Sequence, residues 1–208
     1  MKDKMFKSWK VQYIQDMRIK YYELAGILAP VMAFLGITLA VNVHSGWFSW
    51  KNNAISDLGR IGLEKNYILN FSLIIAGILG LIYAYGMYKE TKGVLKKIGV
   101  GIFTAGLISL ILIGAFPEGT SPHYYVSWGF YILASTGILV YGTDEIRKEK
   151  TKTFGIFSLL DVFTAWILGI WAIKTFKGAA IPELIGAVAI ALWVYILIFW
   201  RSKLLSIP

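Results

Sequence analysis

Ile98-Gly99-Val100-Gly101-Ile102-Phe103-Thr104-Ala105-Gly106-Leu107-Ile108-Ser109-Leu110-Ile111-Leu112-Ile113-Gly114-Ala115-Phe116 runs for nineteen residues without a charge. At about 1.5 Å per helical residue, such a run matches the roughly 30 Å hydrocarbon core of a bilayer. Five further apolar runs, with few charges, lie on either side, at residues 21–43, 66–88, 124–143, 154–174 and 183–200. A segment in lipid has to satisfy its own backbone hydrogen bonds, so each run is predicted to be a helix. The fold class is therefore all-α, a polytopic membrane bundle of six transmembrane helices. The last run is the shortest, which predicts a helix of little tilt or a thinner surrounding bilayer. Pro30, with Gly26 and Gly36, predicts a kink in helix 1. Gly77, Gly80, Gly101, Gly106, Gly137 and Gly186 predict close helix approach.

Composition agrees with a membrane chain. Of 208 residues, 57% are hydrophobic and 16% charged, where soluble chains carry about 25% charged residues. There is no cysteine, which excludes disulfides, thiol catalysis and Cys-ligated metal. Only His44 and His123 are histidines, so a three-imidazole centre is excluded within one chain. The net charge of +9 is explained by anionic lipid headgroups, and no nucleic acid is implied.

Basic residues set the expected orientation. Sixteen of the 21 Lys and Arg fall in the N-terminal segment, the second and fourth loops and the tail, against five in the other loops. By the positive-inside rule both termini are predicted to be cytoplasmic, in a multi-pass protein of the cell membrane. Residues 1–20 form a basic cytoplasmic segment, 21–200 a single six-helix domain and 201–208 a tail. Within the first segment Phe6, Trp9, Tyr13 and Met17 fall at helical spacing among Lys4, Lys7 and Lys10. That pattern fits an interfacial amphipathic helix or a juxtamembrane extension of helix 1.

The alternation of loops then brings three polar stretches to the extracytoplasmic face: Asn52–Arg60, Pro117–His123 and Phe176–Glu183. Trp47, Phe48 and Trp50 beside Lys51 predict an interfacial anchor for the first. Ser56 is a weak candidate to cap a short helix running into helix 2, which Gly59 interrupts. Asp57, His123 and Ser56 are the candidate catalytic residues, and Asn53, Arg60 and Glu118 the candidate ligand-binding ones. A carboxylate beside an imidazole can relay a proton, orient a base or hold a divalent cation. The metal variant would use Asp57, Glu118 and His123. The same residues also fit a hydrogen-bonded tie between two hairpins. Lys174, Lys177 and Glu183 are expected to be solvated or bound to headgroups; His44, at the outer end of helix 1, is a lesser candidate for joining the site and is otherwise expected to be exposed.

Asp161 stands apart, inside the fifth run between Ser158 and Thr164. An ionisable side chain there is expected to face the bundle interior. It either lines a proton or ion path or hydrogen-bonds a Ser, Thr or Tyr on a neighbouring helix.

Ser56-Asp57-Leu58-Gly59 in the first outer loop and Phe116-Pro117 followed by His123 in the second carry a resemblance. The chain resembles a prokaryotic six-helix membrane family, the domain of unknown function numbered nine-nine-eight, from helix 1 to helix 6. More distantly, Ile55-Ser56-Asp57-Leu58-Gly59 and the later histidine are similar to the eukaryotic Frag1/DRAM/Sfk1 group, although the aromatic-proline lead-in of that group is missing here. The second resemblance implies an association with lipid remodelling and lipid asymmetry. It assigns no catalytic role. Two functions follow as expectations: a lipid-associated protein with an outer polar site that binds or processes a headgroup, or a non-enzymatic membrane subunit or small transporter with Asp161 in its path. No cofactor is implied. Membrane lipids are the expected partners, and a homo-oligomer or a complex is left open.

Overall fold

The computed structural model describes residues 20–205, with side chains through Arg201. The basic segment with the interfacial-helix pattern lies outside the described residues, apart from Lys20. Six long helices follow: α1 Tyr21–Val43, α2 Tyr67–Glu90, α3 Val94–Ala115, α4 His123–Ile146, α5 Lys152–Thr175 and α6 Ala180–Leu205. One 3-10 helix, Ser56–Gly59, sits in the loop between α1 and α2. All six long helices are long and apolar enough to cross a membrane. On α1 the outer face is Leu24, Leu28, Val31, Leu35 and Leu39, all exposed and spaced for contact with lipid.

Two boundaries depart from expectation for physical reasons. α6 is 26 residues long, not the shortest: it runs five residues past the apolar run at one end and starts three residues before it at the other, where Pro182 falls in its first turn. The N–H groups of that turn have no partner inside the helix, so proline costs nothing there. α3 begins four residues early, because Lys96 in its first turn is partly buried against Glu145 rather than left in water. Pro30 leaves α1 continuous. Its missing N–H frees the Gly26 carbonyl, and the Tyr195 hydroxyl of α6 donates to the adjacent Ile27 carbonyl at 3.2 Å.

Each helix packs chiefly on its neighbours in sequence, and α6 returns against α1 to close a ring. Small residues allow this. A Cβ on Gly137 of α4 would lie 2.5 Å from the Phe103 nitrogen and 2.8 Å from the Gly99 carbonyl oxygen of α3, so the two backbones touch there. Gly101 is the exception among the glycines singled out above. It faces open space, because two helical residues turn it about 200° away from Gly99. The ring's centre is filled by aromatics from four helices: Phe103, Tyr141, Phe154 and Trp193. Trp193 and Ser158 are fully buried, and the indole N–H donates to the Ser158 hydroxyl at 2.9 Å.

One end of the ring carries an ionic clasp. Glu90, at the end of α2, pairs with Lys20 ahead of α1, accepts from the Tyr22 hydroxyl of α1, and meets Arg201 of α6 at 3.3 Å. Arg201 also donates to the Tyr141 hydroxyl of α4 at 2.8 Å. Hydrogen bonding to Glu90 holds the Lys20 ammonium well above the usual lysine range. Beside the clasp, Lys96 of α3 pairs with Glu145 of α4, and both side chains are largely buried. This end is called the Glu90 end below, and the opposite one the Asp57 end.

Candidate functional site

Three loops meet at the Asp57 end. The Ile61 N–H donates to the Glu118 carbonyl at 2.9 Å, the Gly178 N–H to Lys51 at 3.0 Å, and the Ala180 N–H to Asn53 at 2.9 Å. Gly178 lies flat on the first loop, where a Cβ would come within 2.2 Å of the Asn53 carbonyl oxygen. Trp47, Phe48 and Trp50 form an edge-on stack that starts at His44. His44 is itself buried, not exposed as expected.

Asp57 is occupied within its own loop. One carboxylate oxygen accepts the Ala54 N–H at 2.8 Å and faces the Asn53 amide at 3.5 Å. The other meets Arg60 at 2.5 Å. Asn53 in turn accepts the Ser49 N–H at 2.9 Å. These bonds fold residues 49–60 into a compact loop and leave the Arg60 guanidinium mostly exposed at its edge. Ser56 caps nothing: Ile55 precedes the 3-10 helix without a side-chain cap.

Glu118, His123 and Ser127 form a second, separate cluster. His123 opens α4, and its Nδ1 lies 2.8 Å from the Phe116 carbonyl at the end of α3. A carbonyl can only accept, so Nδ1 carries the proton. Nε2 then faces both the Ser127 hydroxyl at 3.2 Å and a Glu118 carboxylate oxygen at 3.1 Å. In a Ser-His-acid triad the acid and the serine occupy different ring nitrogens. Here they share one, so the cluster can pass a proton between Glu118 and Ser127 but is not such a triad. Among the described residues no group of three His, Asp or Glu side chains is placed to hold a metal ion. Asp57, Glu118 and His123 therefore do not form the ligand set considered from sequence.

The partner that sequence missed is Glu183. It was expected in solvent, yet one of its carboxylate oxygens accepts the Ile55 N–H at 2.6 Å and the other lies 3.5 Å from the Ser56 hydroxyl. It stands where two cavities meet. The first, ≈ 120 Å³, lies inside the ring with walls such as Phe34, Leu69, Leu107 and Val194, and polar groups from Ser56, Ser127, Tyr131 and Glu183. The second, ≈ 210 Å³, lies between α4, α5 and α6 and shares Ser127, Tyr131 and Glu183 with the first. Neither is lined by Asp57, Arg60, Glu118 or His123. The only sequence signal for Glu183 was its place one residue after Pro182, inside the first turn of a helix.

Asp161 lines the second cavity. Its Oδ2 is buried and has no hydrogen-bond partner. Ser158 one turn away is taken by Phe154 and Trp193, and Ser135 across the cavity by Tyr131 and Trp166. The expected interhelical hydrogen bond from Asp161 is therefore not made through these neighbours.

Comparison with curated proteins found no match, and comparison with solved structures found none either. A family match does exist, over residues 27–200, from the second turn of α1 to the last turns of α6. With that extent of match, this chain, whose described residues hold six helices long and apolar enough to cross a membrane, belongs to the family described as "Protein of unknown function (DUF998)".

Proposed function

We propose that this is a lipid-associated protein of the cell membrane that holds an amphiphile at the Asp57 end, with both termini cytoplasmic and that end outside. The observation that carries this reading is the first cavity, whose apolar walls end at Ser56, Ser127, Tyr131 and Glu183. A hydrocarbon chain suits the walls, and a headgroup suits the hydroxyls at the top. Arg60 stands at the loop edge, where a guanidinium can pair with a phosphate or carboxylate. His123 reaches the cavity through Ser127, so the Glu118–His123 pair can adjust the protonation of a bound head. Asp57 then serves by shaping the loop that presents Arg60 and Ser56.

The test is lipid retention. Protein purified in a mild maltoside detergent is analysed by native mass spectrometry and by lipid extraction, beside Ala187→Phe, which fills the first cavity. Wild type is expected to keep a bound amphiphile that Ala187→Phe has lost. A wild type without bound amphiphile, or an equal complement in both proteins, refutes the reading.

A second reading, a small transporter with Asp161 in an intramembrane path, is favoured by the unpaired Asp161 carboxyl in the second cavity. Flux abolished by Asp161→Asn and kept by His123→Ala would select it.

A further inference from the structure

The second cavity is a slot along the helices. It extends on α4 from Ser127 to Ile138, about 16 Å at 1.5 Å per residue. Its inner end is Asp161, roughly 13 Å into α5 from Lys152 by the same measure. Polar groups along it are accounted for, with one exception. Ser135 and Trp166 bond to each other, and Glu183 at the outer end is held by Ile55 and Ser56. Asp161 Oδ2 alone is buried and unpartnered. No basic residue lines the slot.

An acidic group in that setting is neutralised by a proton or by a donor that carries positive charge. A carboxylate deep in a bilayer is costly unless something neutralises it. A divalent metal ion demands several oxygen ligands, and no such group is assembled among the described residues. An ammonium demands one carboxylate, and the indoles of Trp128 and Trp166, farther along the slot from Asp161, suit the organic body attached to it. The remaining wall, Val162, Ala165, Ile170 and Ile190 among it, suits an apolar body. Size agrees: an apolar cavity of about 150 Å³ admits benzene, and this one measures ≈ 210 Å³.

We propose that the slot between α4, α5 and α6 binds a small organic ammonium ion, its charged nitrogen on Asp161 and its apolar body along the helices. This rests on, and deepens, the transporter reading by naming the class of ligand. It does not depend on lipid in the first cavity.

Equilibrium binding of phenethylamine to the full-length protein in maltoside detergent tests it, with 2-phenylethanol as an uncharged match. Phenethylamine is expected to bind wild type about tenfold or more tightly than the alcohol, as a charge-assisted hydrogen bond to a partly buried carboxylate supports. Asp161→Asn should abolish that preference, and Asp161→Glu should keep it. Equal binding of the two probes, no binding of either, or a preference that survives in a folded Asp161→Asn overturns the proposal. Flux is measured separately with the same amine in proteoliposomes. Binding without flux removes the transporter reading and leaves the site standing.

Discussion

The backbone N–H of Ile55 donates to the Glu183 carboxylate at 2.6 Å, across 128 residues of sequence. One side chain at the start of α6 thus fixes the loop between α1 and α2, and with it the position of Ser56 and Leu58. Leu58 is fully buried in the apolar cluster beneath, beside Ile37, Leu69 and Ala180.

Glu183→Ala should therefore destabilise the fold by about 1–3 kcal/mol, the cost of leaving a buried N–H unpaired. Glu183→Gln keeps an acceptor and should lose less. Thermal unfolding in detergent, followed by size-exclusion chromatography, separates the two.

Gly137→Ala should cost about 1–3 kcal/mol through overpacking, since its Cβ would press on the Phe103 and Gly99 backbones. Gly101→Ala meets nothing within 4 Å and should be neutral or slightly stabilising, because alanine favours helix. The same unfolding assay compares them directly.

Lys96 and Glu145 invite a double-mutant cycle. Their side chains are only 13% and 5% exposed, so Lys96→Met strands a buried carboxylate and should cost about 3 kcal/mol. Lys96→Met with Glu145→Gln should recover a large part of that loss. With Glu145→Gln measured alone to complete the cycle, a double loss equal to the sum of the two single losses would show that the pair contributes no coupling.

Orientation is tested by thiol labelling, because the chain has no cysteine of its own. Single substitutions Ser121→Cys and Lys177→Cys, both at exposed loop positions, should react with an impermeant maleimide on intact cells. Lys92→Cys and Lys150→Cys, also exposed, should react only after the membrane is opened. The reverse pattern would invert the topology.

Six helices were legible because each is a long apolar run with few charges, a local property that needs no knowledge of its neighbours. The shared end of the three polar loops followed from counting crossings. What could not be read was which polar group meets which. Asp57 and His123 were natural partners by residue type, yet Asp57 is satisfied within four residues on either side and His123 by the end of the preceding helix. Glu183 was passed over as a surface charge because the contact that buries it comes from Ile55, far away in sequence. Glu90 and Arg201 carried no expectation from sequence for the same reason: ring closure brings them together, and ring closure leaves no mark on a local window.

That closure has a consequence for assembly. α6 supplies Trp193 to the centre, Val194 and Glu183 to the inner cavity, and Arg201 to the Glu90 clasp. Chains emerge from the ribosome N-terminus first, so an intermediate of five helices would hold an open furrow with Glu90 lacking its Arg201 partner. The sixth helix is the keystone, and a chain stopped short of it would present that furrow to quality-control proteases.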